Sequence, residues 1–425
     1  MHKNLITNLN STLKGACKYV PKDWIGKKSG RNSTNMDFKL SSEQIRIRNA
    51  VRDFCGKEFK PELSLGLDRK EEFPTKIYEK AAKLGFTTMS LPKEYGGQGR
   101  GLLETCIAIE EMCRADSSFG IAISTGNFGS ELISIYGSKE QKEKYLPPIC
   151  RGEHLSAAAF TEPNVSGSDI TRMETTATKC GNEWKLNGAK TFITNATEAS
   201  FIVVLVQTDT RIKPTYRGES LFVVEKGATG LETRKLHDKM GIRCSVTGEV
   251  SLNDVIVTDW NIVGGLNKGF YHSMEFFDRS RVGVAAQAIG IAQGAWEIAF
   301  EYSKQRKAFG KPILEHEAIG CTLAEIMTKI EAARWLAYRA AWLVDSGKMD
   351  PMVNAMVKLF ASNIAMETTN FAIQTLGAYG YLGEYRVERY HRDAKITEIY
   401  EGTTEIQKLT VLKYLRSRFT GRRDV

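Results

Sequence analysis

Glu183-Trp-Lys-Leu-Asn-Gly-Ala-Lys-Thr-Phe-Ile-Thr194 decides how the 425-residue chain divides. Aromatic and β-branched residues flank an Asn187-Gly188 pair, the strongest short-range signal for a two-residue hairpin turn. The stretch predicts one strand up to Leu186 and a second from Ala189. Similar runs at Phe201 to Val206, Ser220 to Glu225 and Glu249 to Val257 predict further strands. Residues 155–265 therefore read as a β domain.

Outward from this domain, the period changes to that of helices. Upstream, Ser41 and Gln44 are placed to cap a helix whose Ile47, Val51 and Phe54 share one face, and Pro61 ends it. Further helices are predicted at Pro74 to Leu84, Leu102 to Cys113, Ile121 to Tyr136 and Lys139 to Ile149. The glycine-rich Tyr95 to Gly101 lacks the preceding strand of a dinucleotide fingerprint and reads as a structural turn. Downstream, Phe270 to Arg306, Glu317 to Ser346 and Pro351 to Leu376 are long enough to form a bundle. The expected class is α+β and multidomain: a helical domain at 37–154, the β domain, and a helical domain at 266–425.

Composition excludes several functions. The charge of +9 comes from 59 Lys and Arg spread among 50 acidic residues, which argues against nucleic-acid binding and fits phosphate-bearing ligands or an acidic partner protein. Eight cysteines form no CxxC pair, so reduced thiols and no metal site are expected. The longest apolar run, Phe201 to Val206, is far short of a membrane span. Residues 1–36 carry seven Lys or Arg and one acid, Asp23. They read as an extension outside the fold: an organellar presequence, a misread start ahead of Met36, or a local arm.

The chemistry points to Ile399-Tyr-Glu-Gly-Thr-Thr-Glu-Ile-Gln407. Thr404 and Gln407 have the spacing of a capping box ahead of a segment with Ile406, Leu409, Leu412 and Leu415 on one face. Glu401 then lies outside the helix, between an apolar pair and a glycine. Such a carboxylate is either an ordinary loop glutamate or, partly desolvated, a general base.

Five motifs in one order settle between these readings: Phe160-Thr-Glu-Pro-Asn-Val-Ser-Gly-Ser-Asp169, Leu186 to Asn195, Tyr302-Ser-Lys-Gln-Arg-Lys-Ala-Phe-Gly-Lys-Pro312, Gln374-Thr-Leu-Gly-Ala-Tyr-Gly-Tyr381 and Ile399 to Thr403. Together they resemble the acyl-CoA dehydrogenase family of flavoenzymes, from about Phe38 to Phe419. The resemblance implies a helical domain, a small β-barrel-like domain and a C-terminal four-helix bundle, assembled as a homotetramer with FAD. It implies dehydrogenation of an acyl-CoA to a trans-2-enoyl-CoA, as in fatty acid β-oxidation. Glu401 would be the catalytic base, and electrons would pass to an electron-transferring flavoprotein. An acyl-CoA oxidase-like enzyme and a non-catalytic flavoprotein scaffold are the alternatives.

The same resemblance assigns FAD contacts to Thr161, Phe192, Ile193, Thr194, Thr403 and Glu405. It further assigns Arg306, Gln374, Gly377 and Ala378 to the cofactor, Arg306 across a subunit boundary. Ser168, Asp278, Arg281 and Gly402 would face the acyl-CoA. Some family branches place the base one position before this arginine; here that position is Ser280, which leaves Glu401 as the candidate. Three departures stand out: an extra residue at Val165-Ser166, His316-Glu317 in place of Phe-Gln, and Ala378 in place of a glycine. A cytoplasmic location is expected, or the mitochondrial matrix if residues 1–36 are a presequence.

Overall fold

The computed structural model of the chain describes residues 39–420; the expectations for residues 1–36 lie outside them. Seven helices come first. Helix α1 (Ser42–Glu58) stops before Pro61, but Pro61 also opens α2 (Pro61–Lys70), where a missing N–H costs nothing. After α3 (Thr75–Lys83), α4 (Leu102–Ala115) starts where Asp345 accepts from the N–H groups of Leu102 (2.6 Å) and Leu103 (3.0 Å). A carboxylate there complements the positive end of the helix. The single helix expected over 121–136 is two, α5 (Ser117–Ser124) and α6 (Ser130–Tyr136), parted at Gly129 with φ 97°. Helix α7 (Lys139–Cys150) carries a full capping box from Ser138 and Gln141.

Eight strands follow: β1 (Ser156–Ala159), β2 (Thr176–Cys180), β3 (Glu183–Thr194), β4 (Phe201–Gln207), β5 (Glu219–Glu225), β6 (Leu231–Lys235), β7 (Thr247–Thr258) and β8 (Ile262–Val263). They form one mixed sheet in the order β6-β7-β3-β2-β4-β5-β8, with β1 parallel to β4. The expected hairpin turn at Asn187-Gly188 is not there. Strand β3 runs straight through it, and the turn lies earlier, between β2 and β3, where Cys180 pairs with Glu183. Asn187-Gly188 is instead an irregularity in the β3–β7 ladder. Its glycine is needed for approach rather than turning, since a Cβ on Gly188 would lie 2.6 Å from the Thr175 hydroxyl. Alternate residues of β4 feed two cores, Val203 and Leu205 one, Ile202 and Val204 the other.

The remaining chain is helical, apart from a small hairpin of β9 (Lys307–Ala308) and β10 (Lys311–Pro312). Helices α8 (Gly269–Gln305), α9 (Glu317–Asp345) and α10 (Pro351–Leu376) lead through α11 (Val387–Ala394) to α12 (Thr404–Thr420). Helix α10 packs against α8, α9 and α12, giving the four-helix bundle. One apolar core joins Val51, Phe54 and Met112 of the early helices to Ile289, Ile330 and Val357 of the bundle. Each such side chain contributes ~1.5–3 kcal/mol by leaving water, so the two helical parts stabilise each other.

Candidate active site

The chain enters α12 through two left-handed residues, Glu401 at φ 54° and Gly402 at φ 92°. A Cβ on Gly402 would lie 2.7 Å from Gln407 Nε2, so both backbone and space require glycine there. That amide donates to the carbonyls of Glu401 (3.0 Å) and Gly402 (2.8 Å). Gln407 is therefore not the partner of Thr404 in a capping box, because the left-handed turn presents two carbonyls that need a donor. Thr403 takes the cap position, its hydroxyl 3.4 Å from the Ile406 N–H.

The Glu401 side chain is half-buried and points at α8, where the Ser280 hydroxyl donates to Oε2. Arg281 Nε lies 3.4 Å from the Glu401 carbonyl, and its Nη1 pairs with Asp278. Lys358 of α10 donates to the Gly402 carbonyl at 2.8 Å, and Asn354 to the Asp278 carbonyl at 2.8 Å. Burial pushes the Glu401 carboxyl above the ordinary carboxylate range, while the Ser280 bond and the charges of Arg281 and Lys358 pull it back. Burial likewise raises Asp278, against Arg281. The Glu401 N–H has no hydrogen-bond partner among the described residues. A carboxylate of raised proton affinity beside an unused N–H is equipped to take a proton from carbon and to bond the oxygen on which charge develops.

Two segments of the β domain are fixed beside each other by buried polar groups. Lys190, wholly buried, donates to Glu162 (2.8 Å) and to the Phe160 carbonyl (3.1 Å), and Thr191 N–H donates to the Thr161 carbonyl (2.9 Å). Beyond Lys190 the ladder breaks until Ile193, which throws Phe192 to φ 59° and leaves its ring 69% exposed. Thr161 on the first segment and Thr194 on the second are half-buried. Ile193 departs from expectation: strand alternation turns it into the sheet core at 3% exposure, leaving only its backbone for a ligand. Ser168 sits on an exposed turn, its N–H donated to Ser166 at 3.2 Å, in the loop that holds the extra residue.

These segments are tied to the glutamate turn. Asn195 donates to the Thr125 carbonyl at 2.8 Å; the adjacent Ser124 hydroxyl accepts from Gln287 at 3.1 Å, and Gln287 accepts from the Tyr400 hydroxyl. A second link is the ring contact of Phe160 with Phe277, 4.8 Å between centroids. Thr403 and Glu405 lie on the turn itself.

Arg306, Gln374, Gly377 and Ala378 are elsewhere. Arg306, just past the end of α8, is 26 residues beyond Ser280, roughly 39 Å at ~1.5 Å per residue. The other three share that far end, where the rings of Tyr302 and Tyr379 lie 6.5 Å apart. All four are exposed, and the Arg306 guanidinium has no ion pair or hydrogen bond among the described residues. His316 bonds the Ala308 carbonyl at 3.1 Å and leaves Phe309 97% exposed beside it.

Sequence reasoning missed Ser280 as a donor, Gln287, the Lys190–Glu162 pair and Lys358. A signal existed for the last: Lys358 is a lone cation on an apolar helix.

Comparison with known proteins places the chain in a family. The acyl-CoA dehydrogenase N-terminal, middle and C-terminal domain models match residues 41–153, 157–255 and 267–415. The short-chain-specific acyl-CoA dehydrogenase of Clostridium acetobutylicum is 41% identical over 377 residues, 88% of this chain and 98% of that protein. Subunit CarC of the caffeyl-CoA reductase–Etf complex of Acetobacterium woodii is 40% identical over 374 residues, 88% of this chain and 98% of that subunit. The structure of butyryl-CoA dehydrogenase from Megasphaera elsdenii superposes with a TM-score of 0.85 at 38% identity, covering 89% of this chain and all of that one (100%). The chain belongs to the acyl-CoA dehydrogenase family, FAD-dependent oxidoreductases acting on the CH–CH group of their donors.

Proposed function

We propose that the protein dehydrogenates a short-chain acyl-CoA to its trans-2-enoyl-CoA, with Glu401 as the base that takes the α-proton. The observation that carries this is the half-buried Glu401 carboxylate, held by Ser280 on a left-handed turn whose N–H is unused. The proton goes to a Glu401 carboxylate oxygen. The Glu401 N–H donates to the thioester oxygen and opposes the charge that develops there. Asp278, Arg281, Gly402 and Ser168 line the thioester and the pantetheine arm.

The residues present fit FAD. Phe192 is an aromatic ring held out of the core at positive φ, a costly arrangement unless something covers it. Arg306 is a cation without a protein partner among the described residues, matched to a diphosphate. Thr161, Phe192, Thr194 and the Ile193 backbone would hold the ring system, with Thr403 and Glu405 beside it. Arg306, Gln374, Gly377 and Ala378 would come from another subunit of a homotetramer to the diphosphate and adenosine. When bound, FAD supplies the acceptor for the hydride that leaves the β-carbon.

The names of the Clostridium relative and the Megasphaera structure support a short acyl group. That of the Acetobacterium relative supports an electron-transferring flavoprotein as partner. Among the described residues no helix is long and apolar enough to cross a membrane, and a cytoplasmic location is part of the same reading.

Anaerobic mixing of the holoenzyme with acyl-CoAs of graded length and branching tests it. Butyryl-CoA should bleach the flavin fastest and yield the trans-2-enoyl thioester by mass and retention time. No bleaching with any acyl-CoA overturns the reading. Oxygen consumption outpacing reduction of an artificial dye would assign an oxidase instead.

A further inference from the structure

Lys358 is the one cation among the 26 residues of α10, and its side chain is wholly buried. A buried ammonium ordinarily pairs with a carboxylate. Lys358 makes no such ion pair among the described residues; it donates to the Gly402 carbonyl at 2.8 Å. The neighbouring cation differs, because Arg281 already has Asp278 as its partner. Of the carboxylates whose charge reaches Lys358, Glu401 acts most strongly, ahead of Glu398 and Glu405, while Arg281 repels it. Gln407 grips the same turn through both carbonyls but brings no charge.

We propose that Lys358 is a positioning residue for the base: through the Gly402 carbonyl it fixes the left-handed Glu401-Gly402 turn, and its unshared positive charge is the counter-charge of the Glu401 carboxylate. This rests on the reading of Glu401 as base. The carboxylate faces the Ser280 hydroxyl, Arg281 and Lys358 on the favourable side and Glu131 of α6 on the unfavourable one. Arg281 acts on the carboxylate somewhat more strongly but is already paired with Asp278, whereas Lys358 has no ion-pair partner among the described residues. Burial has already raised the proton affinity of Glu401; removing a nearby cation raises it further. The acid limb of the rate profile must then move to higher pH.

The test is anaerobic flavin bleaching by butyryl-CoA, measured across the acid and alkaline limbs for wild-type holoenzyme and for Lys358→Met, Lys358→Gln and Lys358→Arg. Lys358→Met should bleach ~10- to 100-fold more slowly at neutral pH, with its acid limb about one pH unit higher. Lys358→Gln keeps a donor for the Gly402 carbonyl without the charge, so it should regain part of the rate and keep the displaced limb. Lys358→Arg should return the limb to its wild-type place. An unmoved limb in both neutral variants overturns the proposal. Should neither neutral variant fold, Lys358→Arg decides: the guanidinium keeps the charge beside the turn, so its acid limb should stay at the wild-type position. A limb displaced by about one pH unit in Lys358→Arg overturns the proposal. Glu401→Gln runs alongside: bleaching at the wild-type rate removes the base reading itself, whereas slow bleaching there with unmoved limbs in the lysine variants removes only the role of Lys358.

Discussion

The two ends of α8 are built on opposite plans. At the Ser280 end the polar groups of the glutamate turn are met from within the chain: Ser280 on the carboxylate, Gln407 and Arg281 on the Glu401 carbonyl, Gln407 and Lys358 on that of Gly402. At the Arg306 end the surface is open, with Phe309 97% and Tyr381 84% exposed beside a guanidinium that has no protein partner among the described residues. One end is preorganised by its own fold, as the base proposed there would require. The other carries groups that the described residues leave open, and that FAD and a second subunit would cover under the proposed function. Folding and cofactor loading should therefore fail separately, each at its own end.

The largest expected effect on stability lies in the support of the first end. Arg389 of α11, wholly buried, bonds Asp116 at 2.6 Å and anchors the segment that leads to Glu401. Arg389→Met should lower stability by about 3 kcal/mol, because Asp116 would keep its charge without its ion-pair partner. Denaturant unfolding checks this, and a loss below ~1 kcal/mol would show that the first end does not depend on that pair. At the second end the balance should invert. Arg306→Ala should leave the stability of the apoprotein within ~0.5 kcal/mol, yet weaken FAD binding by about 1.5–3 kcal/mol and loosen subunit association. Titration of apoprotein with FAD and sedimentation measure both; full flavin retention with an unchanged oligomer would break the contrast. The smallest effect belongs to Ser280→Ala. The Ser280 bond lowers the proton affinity of Glu401, so losing it should raise the acid limb of bleaching by less than about one pH unit, or about 1 kcal/mol. A downward shift would mean that the hydroxyl does not serve the ionised form.

What was legible in the sequence follows the same division between local and distant causes. The long helices of the bundle are legible nearly to their ends because each is a long run rich in apolar residues, bounded in α10 by Pro351 at its start and Gly377 at its end. The carboxylate at 401 was legible because the turn residues stand beside it. Strand β1, Ser156–Ala159, was missed because it is buried on both faces by small residues and shows no alternation. Strand β6 was missed because it is mostly exposed at the edge of the sheet. Asn187-Gly188 misled because a glycine that admits a neighbouring Thr175 looks, locally, like one that turns a hairpin. Ile193 was counted with its neighbours by motif although the pleat sends it the other way. Ser280 meets Glu401 across 121 positions and Lys358 meets Gly402 across 44, separations that no local pattern reports.

The account stands most directly on Glu401 as the proton acceptor, and single-turnover bleaching of Glu401→Gln by butyryl-CoA measures it. Glutamine keeps the size of the side chain and the backbone N–H but cannot take a proton. The variant should fold, retain FAD and bind the thioester, while bleaching slows by ~100- to 10,000-fold. Bleaching at close to the wild-type rate, with FAD and acyl-CoA bound, would contradict it.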